Sequence, residues 1–199
     1  MKTRNNEIKY LKDIKELLIC IDMVNGFVKE GTLANKNIER IIPRQIELLD
    51  EALVNNDKGI IFIRDAHTSN AKEFKTYPVH CLKGSKESEL IDELKKYEEY
   101  SLSYFKNSTN LIFAPNIQND LLKLRKLAKI RLMGCLSEVC VLNGAISLKT
   151  FFDEMDKDMD IGVYADAIDT YDSPTHSSNK VNEEALKIME NNGIKILRK

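Results

Sequence analysis

Five short apolar runs punctuate the chain: Leu17–Ile21 (LLICI), Gly59–Ile63 (GIIFI), Ile130–Met133 (IRLM), Ile161–Ala165 (IGVYA) and Ile194–Leu197. Runs of this length bounded by polar positions predict buried strands, and a weaker sixth candidate covers about Tyr100 to Phe105. Between them the spacing changes. Ile42, Ile46, Leu49 and Leu53 recur at steps of four, three and four, and Ile117, Leu121, Leu124 and Ala128 repeat that rhythm, which places each set on one face of a helix. Pro43 suits a first helical turn, and Asn192-Gly193 suits a helix stop ahead of the last strand. Strands alternating with helices predict βαβ units and a mainly parallel sheet covered on both faces, a three-layer α/β/α fold. No linker interrupts the alternation, so residues 1–199 are expected to form one domain.

Two segments fall outside the pattern. Asp65 to Ser88 is polar and unpatterned, and loops beyond ~12–15 residues in a compact domain are uncommon and often functional. This one holds His67 and His80, two of the three histidines in the chain. Asp153 to Asp160 (DEMDKDMD) is an acidic run without the Gly-turned ligand loop of a calcium site, and reads as a solvated helix end or turn.

Composition narrows the partners. Thirty Lys and Arg against 31 Asp and Glu leave a net charge of −1, without the basic excess that neutralises a phosphate backbone, so nucleic acid is not an expected partner. No apolar run approaches the ~20 residues that span a bilayer, and the N-terminal MKTRNNEIKYLKD is too polar for a signal-peptide core. Four cysteines are too sparse for a disulfide framework, and a soluble cytoplasmic protein with reduced thiols is expected.

In an open parallel sheet, ligands bind beyond the carboxyl ends of the strands. There the chain offers Asp22 after the first strand, Asp65 and His67 after the second, and Lys106 after the weak one. The fourth runs into Gly134-Cys135-Leu136-Ser137-Glu138-Val139-Cys140. Singly, each has an ordinary explanation: Asp22 as a cap, Lys106 as a solvated charge, Cys140 as a small core residue. Together they put acid, base and thiol on one edge. A cysteine at a helix start, near a Lys and the positive end of the helix dipole, is expected to favour the thiolate, with free backbone N–H groups nearby to hold an oxyanion. Cys20 reads as core, and Cys81 and Cys135 as neighbours of the site. Asp65 and His67, with Glu73 and His80 later in the same loop, combine carboxylate and imidazole, a donor set suited to Zn²⁺, Fe²⁺ or Mn²⁺ with an open position. The same four residues equally describe surface histidines and solvated acids. His176, in the polar stretch Asp172 to Asn179, lacks such company and reads as a surface residue.

Four segments, ICIDMVNGF (Ile19–Phe27), IFIRDAH (Ile61–His67), EFKTYPVHCLKGS (Glu73–Ser85) and LMGCLSEVCV (Leu132–Val141), resemble in order and spacing the nicotinamidases within the isochorismatase-like cysteine hydrolases. The likeness runs from about Leu17 to Leu197. It implies that family's Rossmann-like topology and hydrolysis of nicotinamide to nicotinate and ammonia through a thioester, a step of NAD salvage. Carried over by position, the catalytic triad falls on Asp22, Lys106 and Cys140, and the oxyanion hole on the N–H groups of Leu136 and Cys140, after a cis Cys135–Leu136 peptide. The implied metal ligands are Asp65, His67 and His80, with Glu73 the fourth found in some members. Phe27 and Tyr77 take the substrate-binding positions that pack against the substrate ring. One divalent ion, Zn²⁺ ahead of Fe²⁺ or Mn²⁺, is the implied cofactor, a small-molecule amide the implied substrate, and a homo-oligomer the implied assembly.

The match has departures. Ser137 stands where the family's Gly-x-x-Thr-x-x-Cys-Val element has Thr, Tyr77 where many members have Trp, and Val24 where Gln is frequent. The segment NSTNLIF after Lys106 lacks the usual Tyr-Ser-x-Phe look. These bear on the pocket lining and leave a related amidase acting on another small amide or carbamoyl compound as the alternative. The four metal-type residues favour nicotinamidase, because many relatives in the superfamily lack them.

Overall fold

Strand pairing organises the chain around one sheet. In the computed structural model, which describes residues 13–198, the strands are β1 (Glu16–Ile21), β2 (Lys58–Asp65), β3 (Leu102–Lys106), β4 (Lys129–Cys135), β5 (Asp160–Asp169) and β6 (Lys195–Leu197). They lie in the order β3-β2-β1-β4-β5-β6, and every neighbouring pair is parallel. Residues 1–12, and with them nearly all of the polar N-terminal stretch, lie outside the described residues. Among the described residues, no helix is long and apolar enough to cross a membrane.

Alternation along the strands builds a core on each face. Leu17, Ile19 and Ile21 point to one side, where they pack with α3 (Ile117–Lys123), α4 (Leu142–Asp153) and α5 (Ser178–Asn191). Leu18 and Cys20 point to the other, against α1 (Asn25–Val28) and α2 (Ile42–Val54), where Leu94 and Tyr97 of the 3₁₀ stretch Asp92–Tyr100 join them. The three layers and the parallel sheet agree with expectation. Pro43 lies in the first turn of α2, and Gly193 turns the chain after α5 at φ 79°.

Details of register differ from the sequence pattern. β3 begins at Leu102 rather than Tyr100, because Tyr100 closes the preceding 3₁₀ stretch. The buried face of α2 is Ile42, Gln45, Leu48, Leu49 and Ala52, while Leu53 is 40% exposed. Gln45 turns inward because its amide donates to the Ala167 carbonyl (3.0 Å). That carbonyl belongs to an irregular part of β5, where Leu132 opposes Val163 but Gly134 opposes Ile168, leaving Tyr164–Ala167 without partners in β4. α3 stops at Lys123, so Leu124 and Leu127 are buried on a tighter three-residue spacing and Ala128 faces outward. The acidic run spans the end of α4, a turn and the start of β5, where Asp160 pairs with Arg131 and Lys195.

β4 reaches the carboxyl edge through Gly134, whose φ of +126° suits glycine alone. A Cβ there would lie 2.0 Å from the Ile21 carbonyl oxygen, so β1 and β4 approach too closely for any side chain. Gly134→Ala is therefore expected to destabilise the protein by about 3 kcal/mol or more. Thermal denaturation of the variant checks this, and an unchanged midpoint would contradict it.

Candidate active site

Successive strands deliver polar residues to one point beyond their carboxyl ends. Asp22 follows β1 in the left-handed region (φ 54°), a conformation that Asp tolerates better than most residues. Its N–H donates to the Ile63 carbonyl (2.8 Å), and its own carbonyl accepts from the Val24 N–H (2.8 Å) and the Cys135 thiol (3.2 Å). Asp65 ends β2 and Lys106 ends β3, partners in register. All three side chains are buried.

Lys106 ties them together. Its Nζ lies 2.7 Å from Asp22 Oδ2, donates to Asp65 Oδ1, and lies 3.6 Å from Cys140 Sγ. Burial disfavours the ammonium, but Asp22, Asp65 and Cys140 outweigh it and hold its pKa well above the usual lysine range. Burial, then repulsion from Asp65, pushes Asp22 up to about 7 against the pull of Lys106. Burial acts on Asp65 as well, yet Lys106, His67 and His80 keep it well below the usual carboxylate range.

Cys140 lies in a π-type turn, Ser137–Val141, that runs into α4. Here the structure departs from expectation: burial pushes the Cys140 thiol well above its ordinary pKa, and Asp22 and Asp65 add to this against Lys106. The helix dipole and one lysine do not outweigh two carboxylates and full desolvation, so the resting pair is a thiol beside the Asp22 carboxylate. Cys20, Cys81 and Cys135 are free and buried, and burial pushes their thiols up too. The Cys135–Leu136 peptide is cis, as the resemblance implies. The Val139 and Val141 N–H groups both bond to the Leu136 carbonyl (3.1 Å each), passing over the Cys140 N–H.

The polar loop after β2 is pinned, not free. His67 N–H donates to the Cys81 carbonyl and Lys83 N–H to the His67 carbonyl (2.9 Å each), which brings His80 back beside His67 with ring centroids 4.6 Å apart. His67 Nε2 lies 3.3 Å from Asp65 Oδ2 and 3.7 Å from Glu73 Oε1, and His80 Nε2 lies 3.8 Å from each of those oxygens. One donor atom from each of the four falls within 4.8 Å of the others. His80 Nδ1–H donates to the Pro78 carbonyl (2.8 Å), which turns the Nε2 lone pair toward the cluster. Both ring nitrogens of His67 are buried without a hydrogen-bond partner. Two imidazoles and two carboxylates so converged fit a divalent transition ion better than Ca²⁺. Asp22, Asp65 and Cys140 also converge, but there the Lys106 ammonium supplies the positive charge.

A cleft of about 250 Å³ opens over this edge. Asp65, Glu73, His80, Leu136 and Cys140 reach its wall, with Phe27 and Tyr77 beside them, while Asp22, Lys106 and His67 stand behind. Phe27, Phe74 and Tyr77 surround His80 at centroid distances of 5.5, 5.6 and 6.4 Å. Val24 is fully buried against Leu90, away from the cleft. Thr109, in the divergent segment after Lys106, lines it.

Three residues escape sequence reasoning. Phe74, edge-on to His67 at 5.3 Å, lies in the Glu73–Ser85 segment, where nothing in the sequence sets it apart. Tyr171 lines the cleft from beyond β5, a strand that runs to Asp169 instead of stopping at Ala165. Its end was hidden because Asp166 and Asp169 interrupt the apolar run, each paired with an arginine, Arg44 and Arg40. His176 is the third and corrects its surface reading: it is half-buried, stacks on Tyr171 and lies 3.3 Å from Glu138 Oε1.

Comparison with known proteins agrees with this architecture. The Isochorismatase domain profile matches residues 16–196. The isochorismatase family protein PncA of Bacillus subtilis (strain 168) is 26% identical over 173 residues, covering 82% of this chain and 91% of its own length. Nicotinamidase 1 of Arabidopsis thaliana is 25% identical over 181 residues, covering 82% of this chain and 73% of its own. The structure of Pyrococcus horikoshii pyrazinamidase in complex with zinc superposes with a TM-score of 0.74 at 22% identity, covering 93% of this chain and 99% of that one, a likeness of fold.

Two outcomes follow from the geometry. Lys106→Met leaves Asp22 and Asp65 buried without their cation, and is expected to cost about 3–5 kcal/mol, read from the urea midpoint; an unshifted midpoint would mean that the ammonium does not hold the pair. His67→Ala and His80→Ala should each weaken Zn²⁺ binding by at least about 100-fold in a competitive chelator titration. Equal affinity in either variant would remove that residue from the ligand set.

Proposed function

Because the chain belongs to the isochorismatase family of hydrolases, we propose that it is a metal-dependent cysteine amidohydrolase converting nicotinamide and water to nicotinate and ammonia. One observation carries the reading: Asp65 is shared, with Oδ1 on Lys106 of the nucleophile cluster and Oδ2 facing the two histidines, so both clusters border one cleft. A relative named nicotinamidase and a structural neighbour named pyrazinamidase support the substrate class.

Asp22 Oδ1 has no hydrogen-bond donor in the resting site and accepts the Cys140 thiol proton as Sγ attacks the amide carbonyl. The N–H groups of Leu136 and Cys140 receive the oxyanion, and losing one such donor typically costs about 10²–10³ in rate. The C–N bond then breaks, Asp22 returns its proton to the nitrogen, and ammonia leaves a thioester on Sγ. Asp22 next takes a proton from water as the hydroxyl adds to the thioester carbonyl; the C–S bond breaks and that proton goes to sulfur, releasing nicotinate. Lys106 stays protonated and keeps Asp22 aligned. Asp65, His67, Glu73 and His80 would hold a divalent ion, Zn²⁺ or else Fe²⁺ or Mn²⁺, which supplies a Lewis-acid anchor for a pyridine nitrogen and so orients the ring. Phe27 and Tyr77 flank that ring.

Purified protein loaded with Zn²⁺, Mn²⁺ or Fe²⁺ is expected to release ammonia from nicotinamide and to lose that activity to a chelator. Cys140→Ala should reduce turnover to background while metal and ligand binding persist. No ammonia from nicotinamide would reject the reading, and a panel in which another small amide is the good substrate would put the related amidase in its place.

The pH dependence follows from Asp22. The base works only unprotonated, and its pKa is pushed up to about 7, so kcat/KM should fall as pH drops through that value and level off above it. A profile flat down to pH 5 would show that Asp22 is not the base.

A further inference from the structure

The loop after β5 holds an aromatic residue that the reaction above does not use. Tyr171 lines the cleft and is 38% exposed, whereas Phe27, which also lines it, is 4% exposed. An exposed tyrosine is ordinarily free to change rotamer. This one lies flat on the His176 imidazole, with centroids 3.8 Å apart and an interplanar angle of 13°. His176 Nδ1–H donates to the Tyr171 carbonyl (3.0 Å), and reciprocal backbone bonds between Ser173 and His176 (3.0 and 3.1 Å) close the loop.

The support extends to the nucleophile. His176 Nε2 lies 3.3 Å from Glu138 Oε1, which also accepts from Thr170 Oγ1 (2.8 Å), and Glu138 belongs to the same π-type turn as Cys140. Asn35 also lines the cleft, and its amide donates to the Asp172 carbonyl next to Tyr171 (3.3 Å). The loop that carries Tyr171 is thus held by His176 on the ring and by Asn35 on the backbone. A rigid aromatic wall binds a flat ring with little loss of rotamer freedom.

We propose that Tyr171 is the outer aromatic wall of the substrate cleft and limits which ring amides enter, with His176 its positioning residue, braced on Glu138. The proposal rests on the amide-hydrolase reading above. Phe27 and Tyr77 act on the ring deeper in the cleft; Tyr171 meets the ring edge that faces solvent. A substituent on that edge is admitted or refused by Tyr171.

Tyr171→Ala is expected to raise KM for nicotinamide about 2- to 12-fold, the range of one aromatic contact, with kcat changed less than about twofold. The same variant should raise kcat/KM for 5-methylnicotinamide relative to nicotinamide, while Tyr171→Phe keeps wild-type values. His176→Ala should reproduce part of the KM rise, and His176→Phe, which keeps the stacked ring face but neither ring-nitrogen contact, should recover only part of that loss, which loss of general loop structure would not do. Calorimetric titration of the zinc-loaded protein with nicotinate is independent of turnover and should show Kd weakened by the same factor in Tyr171→Ala. Unchanged KM and Kd in a folded Tyr171→Ala protein, with the wild type active, would overturn the wall alone. Wild-type protein that neither binds nicotinate nor hydrolyses nicotinamide would overturn both readings.

Discussion

One buried ammonium group sets the terms for everything around it. Asp22 and Asp65 leave adjacent strands at the sheet edge, both out of water, and two carboxylates so close repel each other strongly. Lys106, entirely enclosed, is the cation between them. The three strands that supply these groups are neighbours in the sheet, so their register and the charge pattern are parts of one solution. The division of labour follows from that position. Asp65, closest to positive charge, is locked as an anion, while Asp22 is left near the point where it can gain and lose a proton.

The thiol belongs to the same balance. In many cysteine enzymes a nearby cation makes a standing thiolate. Here the lysine's charge is already matched by two carboxylates, so Cys140 keeps its proton until a neighbouring base removes it. Backbone geometry at Leu136 and Cys140 then matters as much as side chains, because charge appears on sulfur and oxygen only while bonds are changing.

Much of this was legible in the sequence because strands and edge residues leave local marks. Apolar runs such as LLICI and GIIFI stand out without any partner, and the polar residue that ends each run is easily found. What stayed hidden depends on tertiary contacts. The end of β5 is masked by Asp166 and Asp169, which read as loop until their arginines are seen. Gln45 looks like a surface residue until the Ala167 carbonyl that accepts from its amide appears. His176 has no charged neighbour in sequence, and its company, Tyr171 and Glu138, comes from two different strand ends. The thiolate expectation failed for a related reason: helix position is local, but Lys106 is neutralised by residues far along the chain.

The order of strands also has a consequence for the chain while it is being made. β1 is the first of the described strands to be synthesised and one of the two most central, paired with β2 on one side and with β4 on the other. Until Lys129 to Cys135 has emerged, the second edge of LLICI has nothing to bond to, and such an edge invites pairing with another molecule. For a nascent molecule, the interval between the making of β2 and the making of β4 therefore leaves one edge of β1 open to pairing with another chain.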